Sequence, residues 1–359
     1  MSRRGRAPTI DDVARAAEVS ISTVSRVLRG VPDVRDETRQ HVQQVIAELG
    51  YRPSPIARAL VSGQTRLLAL LVADIANPFY PQLAKSLEDE AKRFDYSIVI
   101  CSTGDRPSET RRYLERLCHQ GVDGIIHASV GRDEQVLLDE LHDNRRVVFT
   151  NRRPVSADVS LVVSDNRDGA VQLTRHLLEL GHRRIGLVGG PDFATNATER
   201  LEGFRSAMDE VASAEPLVVK GDFSTESGKA ALREWLADDP PTAVIAINDA
   251  VALGALEYLI ERGIRVPEDI ALAGFDGVQL AASPALSLTT VDQHIDKMAR
   301  RAVRVLLRQL AEPPGARPVR EVLATQLVLR HSTEGGGAPR ANGAGARRRS
   351  ARSLSSAAP

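Results

Sequence analysis

The sequence predicts two unlike folds in one chain: a small all-α head, then an α/β core of two doubly wound parallel-sheet lobes. Three observations predict it. At 359 residues the chain is longer than one simple domain usually is. Up to Arg66 the apolar residues recur at helical spacing. From Leu67 onward, short apolar runs alternate with helical stretches, which is the βαβ pattern of parallel sheets.

In the head, Thr9 begins a run in which Ile10, Val13, Ala14 and Ala17 fall at helical spacing. Asp11 and Asp12 favour a first turn there, and the helix is expected to end near Ala17. After a short turn, Glu18-Val19-Ser20, the segment ISTVSRVL places Ile21, Val24 and Leu28 on one side, with Ser22, Thr23, Ser25 and Arg26 as polar groups. A third helix is expected from Asp36 to Leu49, with Val42, Val45, Ile46 and Leu49 at amphipathic spacing. Three such helices can share one small core, a helix-turn-helix arrangement. On its own, ISTVSRVL reads more readily as an ordinary surface helix, and it is the whole pattern around it that outweighs that reading.

In the core, the apolar runs are Leu67 to Asp74, Tyr96 to Cys101, Gly124 to His127, Val147 to Thr150, Arg184 to Val188, Ala243 to Ile247 and Ile270 to Gly274. Doubly wound sheets bind ligands beyond the carboxyl ends of their strands, so the residues after each run matter. They include Asp74 through Tyr80, Thr103, Asn151-Arg152, Asp165-Asn166, Phe193 to Arg200, Phe223, Asn248-Asp249, Asp276 and Gln293. A single Asp there is more often a helix cap, and Asp165 and Asp249 are cap candidates. A whole ring of polar groups with aromatics points to a ligand.

Composition narrows the classes. The formal net charge is zero, yet Met1 to Arg66 holds eleven Arg against seven Asp plus Glu, which favours an anionic partner at that end. Cys101 and Cys118 are too few for a disulfide framework or a zinc site, and a reducing compartment fits best. The start, MSRRGRAPTIDD, has no apolar h-region, and no apolar stretch approaches roughly 18 residues, so the expected place is the cytoplasm, without membrane attachment. Residues 334–359, rich in Gly, Ala, Ser and Arg, lack the apolar residues that offset ordering entropy and are expected to be disordered.

Residues Thr9 to Leu60 resemble the DNA-binding head of the LacI/GalR family, nearly continuously. The resemblance implies that the helix at Ile21 to Leu28 enters the major groove, with Ile21, Ser22 and Arg26 reading bases. Arg26 can reach guanine O6 and N7 in bidentate fashion. Thr9, Ser20, Thr23 and Ser25 match phosphate contacts, which set register. Arg29 and Arg35 stand where the family often has Asn and Ser, so those phosphate contacts are expected to be rebuilt with charged groups, giving stronger salt dependence. Pro53 to Leu60 resembles the hinge helix that orders when two copies meet in the minor groove, with Leu60 as the apolar wedge and Ala57 at the close helix contact. Pro55 and Val61 depart from the family pattern there.

Leu67 to about His331 resembles the family's periplasmic-binding-protein-like (type I) core. The motifs that carry this are NPFY (Asn77 to Tyr80), SDNRDGA (Ser164 to Ala170), HLLELGHRRIGLVGGP (His176 to Pro191), INDAVALGAL (Ile247 to Leu256), AGFD (Ala273 to Asp276) and LTTVDQ (Leu288 to Gln293). By position it implies Arg200, Asn248 and Asp276 as polar effector contacts and Phe79, Tyr80 and Phe223 as walls, with Asn151, Asn196 and Gln293 completing the site. Asp and Arg satisfy several sugar hydroxyls while aromatic faces cover C–H surface. Asn151 stands where the family often has Asp, removing a charge. The LGH segment at Leu180 to His182 reads as a structural turn.

Enzyme readings fare poorly: SGKA at Ser227 to Ala230 has the wrong glycine spacing for a phosphate loop, and neither H-E-x-x-H nor G-x-S-x-G occurs. A transport-type sugar-binding protein would share the core fold but needs an export signal and has no use for a helix-turn-helix. The expected protein is therefore a cytoplasmic, nucleoid-associated regulator and not an enzyme. It is read as a repressor whose grip on a palindromic operator in double-stranded DNA is controlled by a small-molecule effector, a sugar or sugar derivative. A homodimer is expected, with a tetramer left open; no cofactor and no metal are expected. The expected division is a head over 1–50, a hinge over 51–65, a core over 66–333 and a tail over 334–359. Within the core, lobe one takes 66–163 and 293–320, and lobe two takes 164–290 and 321–331.

Overall fold

A computed structural model describes residues 8–28, 30–51, 64–129, 131, 147–154, 159–313 and 317–334. Arg29, Ala57, Leu60 and the tail beyond Glu334 lie outside the described residues. The chain separates into two compact units, Met1–Arg66 and Leu67–Pro359.

Among its described residues the first unit has three helices, α1 (Ile10–Ala16), α2 (Ile21–Leu28) and α3 (Asp36–Leu49). A capping box starts α1: the Thr9 hydroxyl accepts from the Asp12 amide at 3.3 Å, and the Asp12 carboxylate accepts from the Thr9 amide at 2.8 Å. Ser20 caps α2 by accepting from the Thr23 amide at 3.2 Å. Gly50 ends α3 in the left-handed region, φ 64°, where a side chain would be strained. The small core holds Val13, Ala14, Ala17, Val24, Val27, Val34, Val42, Val45 and Tyr51. The inward stripe of α2 is therefore Val24 and Val27, three apart. Ile21 and Leu28, expected beside Val24, turn outward instead, and Leu49 is likewise exposed. Val27, one residue before Leu28, takes the inward place, so the buried stripe leans to the three-residue side of Val24 and not to the four-residue side.

The second unit holds two six-stranded sheets. The first runs β11-β5-β4-β3-β1-β2, parallel throughout: β1 (Leu67–Val72), β2 (Ser97–Ser102), β3 (Gly124–His127), β4 (Val147–Thr150), β5 (Ser160–Ser164) and β11 (Arg320–Leu323). The second runs β12-β10-β9-β8-β6-β7: β6 (Arg184–Val188), β7 (Glu215–Val219), β8 (Ala243–Ala246), β9 (Ala271–Asp276), β10 (Thr289–Asp292) and β12 (Gln326–Val328). Only β12 is antiparallel in it. Both sheets reverse direction of winding beside their first strand, which places a crevice at the carboxyl ends of β1 and β3 in one lobe and of β6 and β8 in the other.

The α-helices among the described residues of this unit are α4 (Phe79–Lys92), α5 (Pro107–His119), α6 (Asn166–Glu179), α7 (Thr195–Met208), α8 (Thr225–Trp235), α9 (Asp249–Glu261) and α10 (Ile295–Ala311). The chain passes between lobes after β5, after β10, where α10 returns to pack on α4 and β3 to β5, and after β11. Because β11 stays in register with β5 from Arg320–Leu161 to Leu323–Ser164, the last passage comes at Ala324 and Thr325, a few residues later than the expected 320/321 division.

Gly228 lies inside α8 and not in a phosphate loop. A Cβ on it would stand 2.1 Å from the Val251 carbonyl oxygen, and one on Gly254 would stand 1.8 Å from that of Thr225, so α8 and α9 touch backbone to backbone. The LGH segment is a turn: Gly181 takes φ 93°, and His182 bonds Thr242 at 2.9 Å.

Candidate functional site

Two surfaces carry the sequence-predicted residues. On α2, Ile21, Ser22 and Arg26 are exposed and Ser25 partly so, while Val24 and Val27 are buried, and Ile21 is 48 % exposed. The hydroxyls of Ser20, Ser22 and Thr23 bond one another at 2.7 and 2.9 Å around the N-terminus of α2. Thr9 holds the N-terminus of α1, and its hydroxyl donates to Asp12 at 2.7 Å. Thr9 and Ser20 thus cap helices, Thr23 is bonded to the Ser20 cap through its amide and its hydroxyl, and the N-terminal end of each helix dipole favours an anion. Arg35 is exposed at the start of α3, without a side-chain bond to that helix end.

The second surface is a buried cleft lined from both lobes. Asn77, Phe79 and Tyr80 enter from the start of α4, and Asn151 and Arg152 from the end of β4. Asn196 and Arg200 come from α7, Phe223 from beyond β7, Asn248 from beyond β8 and Asp276 from the end of β9. The Phe79 and Tyr80 rings meet edge to face at 5.3 Å. Burial pushes the Tyr80 phenol up to about 12, so it stays a neutral hydroxyl.

Arg200 is held on three sides. Its Nε donates to Asn166 Oδ1 at 3.0 Å, Nη1 donates to the Ile247 carbonyl at 2.6 Å, and the guanidinium lies 3.8 Å from the Phe275 ring centroid. Nη1 also stands 3.4 Å from Asp276 Oδ1. The same oxygen accepts from Gln293 Nε2 at 2.7 Å, so Gln293 acts on the cleft from behind Asp276 and not from its wall. Two buried atoms of this group, Arg200 Nη2 and Gln293 Oε1, have no hydrogen-bond partner among the described residues.

Asn248, expected as an effector contact, is also the N-cap of α9. Its Oδ1 accepts from the Val251 amide at 2.8 Å and its Nδ2 donates to the Phe223 carbonyl at 3.3 Å. The cap expected at Asp249 is corrected accordingly: Asp249 is the first helical residue and turns into the lobe, accepting from Thr290 Oγ1 at 2.6 Å and the Val278 amide at 3.0 Å. Only a glycine at 274 leaves it room, since a Cβ there would lie 2.2 Å from Asp249 Oδ1. Asp165 does cap α6, accepting from the Asp168 amide at 3.0 Å. Burial and mutual repulsion hold the carboxyl of Asp249 above the usual carboxylate range; burial does the same to Asp276 against the pull of Arg200.

Arg152 is the cleft residue that sequence reasoning passed over as a contact. It is 1 % exposed, bidentate to Asp105 at 2.7 and 3.0 Å, with its guanidinium 4.9 Å from the Phe223 ring centroid of the other lobe. Its neighbour Arg153 is bound to Thr195 Oγ1 through both amide and carbonyl, at 3.1 and 3.0 Å, and pairs with Glu199 at 2.7 Å. Asn151 to Arg153 thus form a strap between the lobes. With Arg152 inside, the lining leaves about 10 Å³, room for about one water. No group of His, Cys, Asp and Glu able to hold a metal occurs among the described residues.

Comparison with known proteins gives a consistent picture. Residues 9–54 match the model described as bacterial regulatory proteins, lacI family, and residues 174–333 match a periplasmic binding protein-like domain. The HTH-type transcriptional regulator DegA of Bacillus subtilis (strain 168) is 38 % identical over 90 % of this chain and 98 % of its own length. Among solved structures, a transcriptional regulator CelR-cellobiose complex aligns with TM-score 0.67 and 35 % identity, covering 90 % of this chain and 99 % of that one. The lac repressor dimer bound to operator and the anti-inducer ONPF aligns with TM-score 0.79 and 27 % identity, covering 91 % and 99 %.

Proposed function

This chain belongs to the lacI family of bacterial regulatory proteins, and from that premise we propose how its two surfaces divide the work of a ligand-controlled repressor. It is a sequence-specific DNA-binding transcriptional regulator. The face of α2 reads the major groove through Ile21, Ser22 and Arg26, while Thr9, Ser20, Thr23, Ser25, Arg29 and Arg35 hold phosphates. Leu60 and Ala57 serve the minor groove. The working form is a homodimer, since one recognition helix covers one half-site and a two-fold operator needs two. Edge strand β2 leaves Val99 and Ile100 exposed, an apolar edge that a second copy would cover.

The effector is a sugar or another polyol; since the cleft as it stands has room for about one water, the lobes part to admit it, and repression is relieved when it binds. The observation that carries this is Arg200 Nη2, a buried donor on a cleft-lining residue with no hydrogen-bond partner among the described residues. Left unpaired it costs about 1–3 kcal/mol. A hydroxyl oxygen can accept from it, while Phe79, Tyr80 and Phe223 offer apolar faces to the C–H surface of a polyol. The net charge of the cleft also suits a neutral ligand, because Arg152 is paired with Asp105 and Arg200 with Asp276. No catalytic step is assigned to it. No helix among the described residues is long and apolar enough to cross a membrane, and the cytoplasm is the proposed place of action.

Enrichment of random DNA by the purified chain should yield a short palindrome; enriched sites without two-fold symmetry would overturn the dimeric reading. A thermal-shift panel of mono- and disaccharides, sugar phosphates and nucleobases should show a neutral sugar raising the melting temperature of the core. A shift confined to the charged or aromatic compounds would overturn the polyol reading.

A further inference from the structure

The loop between α2 and α3 carries an acid beside the reading face. Asp33 Oδ2 stands 3.5 Å from Arg26 Nη1, and both side chains are about half exposed, at 53 % and 52 %. The loop that presents it is fastened. Gly30 takes the left-handed conformation, φ 70°, and the Val31 amide donates to the Arg26 carbonyl at 3.2 Å. From α3, Arg39 Nη2 donates to the carbonyls of Val31 at 2.7 Å and Val34 at 3.4 Å, and Val34 is buried in the core of the head. The backbone that carries Asp33 is therefore fastened and its side chain is short, whereas Arg26 ends a long, rotatable side chain.

Surrounded by phosphates, a free guanidinium at the groove finds many anions and gains affinity without specificity. A carboxylate beside it narrows the orientations it can take, and its own charge opposes close approach of the phosphates. We propose that Asp33 is a positioning residue for sequence reading: it aims Arg26 at a base edge and holds it off the backbone, trading non-specific affinity for selectivity. This rests on the base-reading role given to Arg26 above.

The test uses the full chain and the variants D33N, D33E, R26A and R26A/D33N, each taken through random-library enrichment and competition with non-operator DNA. D33N should weaken preference at the base pair read by Arg26 about twofold to fivefold, the range of an exposed ion pair, while affinity for non-operator DNA rises. D33E, which keeps the charge, should restore most of the preference. In the R26A background, D33N should change no base preference. The proposal is overturned if D33N keeps full preference, if D33E behaves as D33N, or if D33N has the same effect with and without Arg26. Should R26A itself leave the enriched motif unchanged, it is the base-reading role of Arg26 that fails, and the proposal with it. Melting temperatures should be the same throughout, since the pair is exposed; a large drop for D33N would assign Asp33 to the fold.

Discussion

The reading face of the head and the cleft of the core are built on opposite principles. The face takes its side chains from two turns of one helix, and they stand in solvent with the fold's weight carried by Val24 and Val27 behind them. The cleft gathers side chains from several separate segments, buries nearly all of them, and bonds them to one another. One surface can change its specificity with little cost to the fold. In the other, the polar side chains that could hold a ligand, Arg200, Asn248 and Asp276 among them, also make bonds within the lobe.

The largest expected effect lies in the cleft. Arg200→Ala removes the partner of buried Asp276 and the bonds to Asn166 and the Ile247 carbonyl. Breaking a buried pair costs about 3–5 kcal/mol, to be read from urea unfolding of the core. A loss below about 1 kcal/mol, the scale of an exposed pair, would erase the contrast drawn between the two surfaces. On the face, Arg26→Ala should cost about 1–3 kcal/mol of operator affinity, at one base pair per half-site, with the unfolding midpoint unmoved. A uniform loss over all sequences would remove Arg26 from base reading.

A smaller effect sharpens the comparison through pH. The buried carboxyls of Asp249 and Asp276 are held above the usual carboxylate range, so the folded chain keeps protons that the unfolded chain has released. Stability contributed by these groups is full in acid and falls as pH rises from the ordinary carboxylate range through neutrality. His127, pushed down to about 3 by burial and by Arg152, acts in the opposite sense, but only below about 6.5, the free imidazole value. From neutrality upward the carboxyls alone decide the sign between these groups. Asp249→Asn should therefore flatten the decline of core stability with rising pH, measured by urea unfolding over a pH series. An unchanged or steeper decline would contradict the assignment.

The same contrast explains what could be read from the sequence. The bounds of α2 and α3 follow from local spacing and emerge as expected, because a helix is decided within its own segment. Seven strands announce themselves as apolar runs. The remaining five, β5, β7, β10, β11 and β12, are at most five residues long and mixed in character, such as REVL at Arg320–Leu323 and QLV at Gln326–Val328. Their identity depends on partners far away, as in the pairing of β11 with β5. Arg152 teaches the same lesson for the site. An arginine after a strand reads as solvated, and its burial depends on Asp105, 47 positions earlier, and on Phe223 in the other lobe. Asn248 shows the converse: one residue, singled out for ligand contact, also serves as a helix cap.

The central claim is that the cleft governs the head without touching DNA, so that effector and operator are coupled through the chain. The direct test is operator affinity of the parent and of Asp276→Asn, with and without the sugar that raises the parent's melting temperature. Asn keeps the size of the side chain and an acceptor for Gln293 while losing the charge beside Arg200. The parent's affinity should fall with sugar by the factor expected of typical coupling, about 1–3 kcal/mol, and the variant should bind operator as tightly as the sugar-free parent yet ignore the sugar. A variant that responds to sugar as the parent does would contradict the account.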